Sequence, residues 1–399
     1  NFGLFSLGSA TLSETGVLCD KMTPSSSCRS WPVHCLSTEL EWLPGTKAER
    51  AAAVAAAWGG LIPSGQGFCS GMQLADTTTS EPPAGTTAKA ELPLQTPMRG
   101  VAYGPLPCTT HACGGQGLPS EDMLQAGYAK QWGAEGRDDL ASIAALGGNA
   151  VRLYHSLGLD AKDDHGAFLD RASEVGLNVM PGYHTENAND PRECPGFDCF
   201  ETWKKATLLG FEQGFRHENN WHPAVSMLIL LNEPDFFEFA PKCIPSGPWC
   251  RVKAALSALD GVLAAEEEAG ISAGRVKLTV TWSFAMKMSI DGLVEGPGVF
   301  GFQDMVAGIA NPELAHYTPR MSQASLQDAF AKRWVHGLNT QSPWNFVQEM
   351  VAKEYEHFSP VPWFIGEYGG NGQEKAVIQA DLEAMDLVAS RDLHFLGAA

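Results

Sequence analysis

At 399 residues and 42.8 kDa, the chain has room for one large domain or two ordinary ones, and an α/β barrel of typical size fills most of it. A formal charge of −19 and a sequence pI near 4.9 set its surface against phosphate backbones and anionic lipid, so no nucleic-acid partner is expected and a neutral polymer suits it better. No apolar stretch approaches the roughly 18 to 20 residues that cross a bilayer, which removes a membrane span from the expectations.

Residues 1–76 read as a Cys-rich N-terminal extension or small module. Cys19, Cys28, Cys35 and Cys69 fall there, around one helical stretch at 47–58 and turns near Pro63 and Gly65. Residues 77–97 are rich in Thr, Pro and Ala without periodicity, as in a linker or a segment draped over a surface. The chain opens at Asn1 without Met or a charged-then-apolar leader, so any secretory signal is expected to have been removed or to lie outside this sequence. Ten cysteines, six of them in close pairs (Cys108 with Cys113, Cys194 with Cys199, Cys243 with Cys250), suit disulfides in an oxidising compartment. No Cys-x-x-Cys occurs and few histidines lie near the pairs, so zinc ranks below disulfides and no metal is expected. The protein is thus expected to be secreted, in the extracellular space or cell wall, although no Asn-x-Ser/Thr sequon supports N-glycosylation.

From residue 98 the pattern becomes regular. Strand-like runs stand at 99–104, 150–154, 178–183, 225–231, 276–282, 299–302, 363–366 and 393–397, with helical patterns at 138–146, 167–175, 202–215, 251–268, 326–334 and 375–388. Alternation of this kind over about 300 residues predicts a parallel sheet with helical crossovers, and eight strands favour a closed (β/α)8 TIM barrel over 98–399. No Gly-x-Gly-x-x-Gly follows the first strand, which argues against a dinucleotide site. The chain stops at Ala399, in or just after the eighth strand and without an eighth helix, as expected of a processed or partial chain.

Two apolar runs end in a glutamate: Met227-Leu228-Ile229-Leu230-Leu231-Asn232-Glu233-Pro234 and Trp363-Phe364-Ile365-Gly366-Glu367-Tyr368-Gly369-Gly370. On the strand count Glu233 closes the fourth strand and Glu367 the seventh. Both therefore stand at the mouth where barrel strands deliver catalytic groups. Two carboxylates facing each other across a sugar are what cleavage of a glycosidic bond needs. Asn232 faces the same mouth, where its amide can hold a sugar hydroxyl. Arg152 interrupts the buried second strand and needs an anionic partner, for which Glu367 is the natural choice. Held ionised by that arginine, Glu367 would attack, while a drier Glu233 would keep its proton as the acid. Tyr183 and His184 end the third strand, His155 follows the second strand's run, and Trp282 ends the fifth; each is a candidate contact to substrate, Trp282 by stacking on a sugar ring. Gln303 and Asp304, at the sixth run, are weaker candidates. The three cysteine pairs follow strands one, three and four, where disulfides would staple the loops of a cleft.

These residues resemble the retaining glycoside hydrolases of the clan that carries its acid/base and nucleophile glutamates on strands four and seven of a (β/α)8 barrel. Asn232-Glu233-Pro234 is similar to the acid/base signature and Gly366-Glu367-Tyr368-Gly369 to the nucleophile strand. Within the clan, Arg99-Gly100-Val101-Ala102-Tyr103, Asn149-Ala150-Val151-Arg152-Leu153-Tyr154 and Ile365-Gly366-Glu367-Tyr368-Gly369 are most similar to the β-1,3-glucanases and β-1,3-glucanosyltransferases, and then to the cellulase-rich family sharing Asn-Glu-Pro. The resemblance covers about residues 98–399. It implies Glu233 as acid/base, Glu367 as nucleophile, Asn232 on the sugar 2-hydroxyl, Arg152 beside the nucleophile and no cofactor. The substrate it implies is a β-glucan polysaccharide or oligosaccharide, β-1,3-linked ahead of other linkages, cleaved by double displacement. A transglycosylase on the same site is one alternative, and a non-catalytic carbohydrate-binding wall protein is another. Relatives often place a tyrosine on strand six and an aromatic on strand eight; here the sixth run reads Gly301-Phe302-Gln303-Asp304-Met305 and the chain ends before an aromatic follows the eighth.

Overall fold

The computed structural model describes residues 92–104, 124, 126–158, 164–183, 194–234, 247–272, 275–283, 301–352, 355, 360–369 and 374–399. By backbone contacts one compact unit spans Ala90–Ala399 together with Asn1–Gly3, and a second spans Leu4–Lys89. The Cys-rich extension and its helical stretch at 47–58 lie outside the described residues.

Eight parallel strands close a barrel: β1 (Met98–Ala102), β2 (Ala150–Leu157), β3 (Asn178–Tyr183), β4 (Met227–Asn232), β5 (Lys277–Trp282), β6 (His336–Thr340), β7 (Trp363–Tyr368) and β8 (Phe395–Ala398). Each strand neighbours its successor in the chain and β8 returns to β1, the (β/α)8 TIM topology. The crossovers carry α1 (Asp139–Ala145), α2 (Gly166–Glu174), α3 (Phe200–Gly210), α4 (Gly247–Ala269), α5 (Gly301–Ala310), α6 (Gln323–Arg333) and α7 (Lys375–Ala389).

Side-chain alternation divides the apolar residues into two cores. Met98, Ala150, Met180, Met227, Ile229, Val335, Phe364 and Leu396, drawn from the lower parts of the strands, form a plug inside the barrel. Their strand neighbours Val151, Val179, Leu228, Leu230, Trp363, Ile365 and Phe395 point the other way, into the larger core shared with the helices. Full burial of each such side chain contributes roughly 1.5 to 3 kcal/mol, so strands buried on both faces read as continuous apolar runs. Below the plug, residues 92–97 hold to the barrel floor: Gln95 N donates to Asn178 Oδ1 at 2.9 Å, Gln95 Nε2 to the Gly176 carbonyl at 2.8 Å, and Leu94 packs against the plug. The last residues of the Thr/Pro-rich segment thus belong to the barrel.

One strand differs from the sequence reading. The sixth run begins outside the described residues, and its Gly301 and Phe302 open helix α5. The reason is periodicity: Phe302, Met305 and Ile309 are all buried, a spacing of three and four that fits one helix face. Gln303 and Asp304 are therefore helical. The real sixth strand is His336-Gly337-Leu338-Asn339-Thr340, whose Gly and Asn are depleted in strands and hide it from an apolar-run search.

Candidate active site

At the upper end of the barrel, polar residues replace the apolar plug. Arg152 shares the inward parity of Ala150 on β2 and is 1% exposed. Burying a guanidinium costs several kcal/mol unless acceptors surround it. Here they do: Nη2 donates to Asn232 Oδ1 at 2.5 Å and pairs with Glu367 Oε1 at 3.1 Å, while Nη1 donates to Asn339 Oδ1 at 3.1 Å and to the carbonyl of Gly366. Asn339 Nδ2 donates in turn to Glu367 Oε1 and to Asn232 Oδ1, each at 2.9 Å. Thr281 Oγ1 adds a third donor to Asn232 Oδ1, at 2.8 Å. Three donors on one oxygen fix the orientation of the Asn232 amide, oxygen inward, so that its NH2 is the end able to donate elsewhere.

Strict alternation would turn both Asn232 and Glu367 away from this network. Leu228 and Leu230 face the helices, and Asn232 has their parity; Trp363 and Ile365 face the helices, and Glu367 has theirs. Two bulges correct the aim. Pairing between β4 and β5 shifts between Ile229 and Leu231, and pairing between β6 and β7 shifts between Ile365 and Glu367, leaving Gly366 as the extra residue. At the first bulge the Leu230 carbonyl accepts Trp203 Nε1 from α3 at 2.9 Å. At the second, only glycine fits: a Cβ on Gly366 would lie 2.8 Å from Thr281 Cγ2, 2.9 Å from Asn339 Oδ1 and 3.0 Å from Arg152 Nη1.

Glu233 follows the first bulge with φ of +49°, a left-handed conformation that costs a non-glycine residue roughly 1 to 2 kcal/mol. Its amide donates to the Thr281 carbonyl at 2.7 Å, which holds the turn. Burial, and then the negative charge of Glu367, raise its carboxyl pKa above the usual glutamate range, against opposing hydrogen bonds from Ser283 and Asn339 and the charge of Arg152. Tyr154, two residues beyond Arg152 on the same face of β2, hydrogen-bonds Glu367 and carries the Arg152 guanidinium 4.8 Å above its ring centroid. Burial foremost raises the tyrosine's own pKa, so its hydroxyl stays a donor, and the residue as a whole is still 38% exposed.

The structure thus gathers Glu233, Glu367, Asn232 and Arg152 in one cluster. Tyr183 stands apart, because Met180 takes the inward parity of β3 and Tyr183 the outward one. Its hydroxyl meets Thr207 Oγ1 at 2.7 Å and its ring packs on Trp203. Trp282 is likewise outward on β5, fully buried, and Gly301 of α5 lies against its ring, so no face is open to stack on a sugar. The substrate contacts expected of Tyr183 and Trp282 are corrected on that ground. His184 lies outside the described residues, as do Cys108, Cys113 and Cys243, and for His155 the same holds of the side chain. Cys194 and Cys199 form a disulfide between β3 and α3, and Cys250 is disulfide-bonded as well. Among the described residues no group of three His, Cys, Asp or Glu side chains is arranged to hold a metal, and no helix is long and apolar enough to cross a membrane. Sequence reasoning passed over Asn339, Thr281 and Tyr154. Of these, Tyr154 alone left a signal, since it shares the parity of Arg152.

No family model and no curated protein matches the sequence. Among solved structures, the chain is similar to Saccharomyces cerevisiae Gas2p in complex with laminaripentaose, with 14% identity and a TM-score of 0.40, over 70% of this chain and 51% of that one. It is also similar to the β-glucosidase of Thermotoga maritima in complex with deoxynojirimycin, with 12% identity and a TM-score of 0.41, over 66% of this chain and 75% of that one. The chain spans about half the length of the Gas2p chain.

Proposed function

We propose that the protein is a retaining β-glycosidase that acts on a β-glucan, β-1,3-linked in the first instance, by double displacement. One observation carries this reading: two glutamates at the ends of β4 and β7 border the same Asn339 amide, one of them paired with a buried arginine and the other desolvated. Arg152 pairs with Glu367, which suits an ionised nucleophile, whereas Glu233 is desolvated and holds its proton more firmly than an ordinary glutamate, which suits an acid. Double displacement needs its two carboxyl groups about 5 to 5.5 Å apart, against about 6.5 to 9.5 Å for single displacement, and two glutamates beside one amide suit the shorter spacing.

In the first step, Glu233 gives its proton to the glycosidic oxygen as a carboxylate oxygen of Glu367 attacks the anomeric carbon. The leaving sugar departs as an alcohol and a glycosyl ester remains on Glu367. Esterification removes the negative charge of Glu367, one of the two causes that raise the Glu233 pKa, so the acid of the first step becomes a better base for the second. Glu233 then takes a proton from water, or from an incoming sugar hydroxyl, whose oxygen displaces Glu367 and restores the enzyme. The Asn232 NH2 can hold the sugar 2-hydroxyl, a bond that tightens in the transition state. The disulfides and the acidic surface suit a secreted protein whose partner is a neutral polysaccharide.

Incubation with laminarin, mixed-linkage glucan, cellulose oligomers and mannan, with products followed by size and by NMR of the anomeric proton, tests the reading. The β-anomer should appear first, and products longer than the input would assign transfer to a sugar acceptor. An α-anomer as first product contradicts double displacement. Sugar binding without turnover would identify a non-catalytic carbohydrate-binding protein.

A further inference from the structure

We propose that Asn339 is the positioning residue of the carboxylate pair: its side chain presents one oxygen of Glu367 to the barrel interior and leaves the other to attack. The inference rests on the double-displacement reading above and gives Asn339, so far only a neighbour of the two acids, a role of its own. Three hydrogen bonds carry it. Asn339 Oδ1 accepts Arg152 Nη1 at 3.1 Å, which fixes the amide so that Nδ2 is the donor end. Nδ2 then donates to Asn232 Oδ1 and to Glu367 Oε1, each at 2.9 Å.

Oε1 receives Arg152 Nη2 at 3.1 Å as well, so both of its lone-pair directions are taken. A carboxylate oxygen with two such donors is a poor nucleophile, because its charge is already stabilised. Oε2, with the Tyr154 hydroxyl as a further donor to this carboxylate, is therefore the oxygen assigned to attack the anomeric carbon and form the ester bond. Asn339 also fits its place: the β6–β7 register shift sets it opposite Glu367, and Gly366 provides the room that lets its Oδ1 approach Arg152. Glu233 lies beside the same amide, so one neutral side chain borders both acids without adding a charge between them.

The test uses Asn339→Ala and Asn339→Asp in the whole protein, on the glucan that the wild type turns over best. Thermal unfolding is followed in parallel, together with Glu367→Ala. Asp keeps the volume of Asn but replaces the NH2 donor with an acceptor that also carries a negative charge beside Glu367, so its effect should be the larger of the two and stays readable should the alanine variant fail to fold. Both variants should lose about 10- to 100-fold in kcat, the size of one hydrogen bond to a charged group, with KM within about threefold. The acidic limb of the pH-rate profile should also move to higher pH, because the charged nucleophile has lost a donor, a change that a packing defect does not produce. If Glu367→Ala is dead while both Asn339 variants keep kcat and the wild-type profile, the role of Asn339 is overturned and double displacement stands. If the wild type turns over none of the glucans, or Glu367→Ala keeps its rate, double displacement falls and the assignment of Asn339 falls with it.

Discussion

Among the described residues, the arginine–glutamate pair inside the barrel mouth and the one buried among the helices are finished differently. In the outer pair Arg333 of α6 holds Glu266 of α4 bidentately, at 2.6 and 2.8 Å, Trp221 Nε1 donates to the same carboxylate at 2.7 Å, and Arg333 Nε reaches the Val276 carbonyl at 2.8 Å. Both side chains are sealed, at 3% and 2% exposure. In the inner pair Arg152 is as deeply buried, at 1%, but Glu367 is 34% exposed and offers Arg152 one oxygen. A closed pair uses every acceptor to tie elements together. An open pair holds one carboxylate oxygen in place while leaving part of the group facing solvent, which is what a nucleophile requires.

Breaking the open pair should act on chemistry. Glu367→Ala should reduce kcat on a β-glucan by at least about 10⁴-fold with little change in melting temperature, measured by reducing-end release and by thermal denaturation. Breaking the closed pair should act on folding. Arg333→Met leaves the Glu266 carboxylate buried beside Trp221 alone and should cost about 3 to 5 kcal/mol in urea unfolding, with kcat of the remaining folded enzyme near wild type. Between these lies Gly366→Ala, whose new methyl group collides with Thr281, Asn339 and Arg152 at once. It should lower kcat/KM by about 10- to 100-fold through the aim of Glu367 and cost about 1 to 3 kcal/mol of stability.

The smallest effect separates the two regions by pH. His336, outward on β6, is stacked on Phe302 at 4.4 Å and accepts Trp334 Nε1 at 3.2 Å, and burial lowers its pKa to about 3. The unfolded chain binds a proton there below about pH 6.5, whereas the native chain does so only near pH 3. Stability from this residue is thus complete above pH 6.5 and declines as the pH falls toward 3, by at most about 1.4 kcal/mol per unit. His336→Phe should flatten the acid side of the urea midpoint by about 1 to 2 kcal/mol between pH 6.5 and 5, while the pH dependence of kcat stays with the carboxylates.

What the sequence makes legible follows from the same contrast. Glu233 and Glu367 show because each ends a long apolar run, and Arg152 shows because a charge inside such a run needs a partner. Asn339 hides because its strand, His336-Gly337-Leu338-Asn339-Thr340, has no apolar run, and a polar residue gains meaning only once its strand is placed. Tyr183 and Trp282 mislead because a strand end marks the mouth but not the face; parity with the interior plug is set by tertiary packing. The bulges that turn Asn232 and Glu367 inward depend on which residues pair across strands, and single-strand patterns carry no record of that.

Trapping the covalent intermediate tests the central claim most directly. Incubation of the wild type with an activated 2-deoxy-2-fluoro-β-glucoside or its β-1,3-linked disaccharide, followed by proteolysis and mass spectrometry, should place one fluoroglycosyl group on the peptide containing Glu367, at that residue. A label on Glu233 or on any other residue, or steady turnover of the fluoroglycoside without a trapped ester, would contradict double displacement through Glu367.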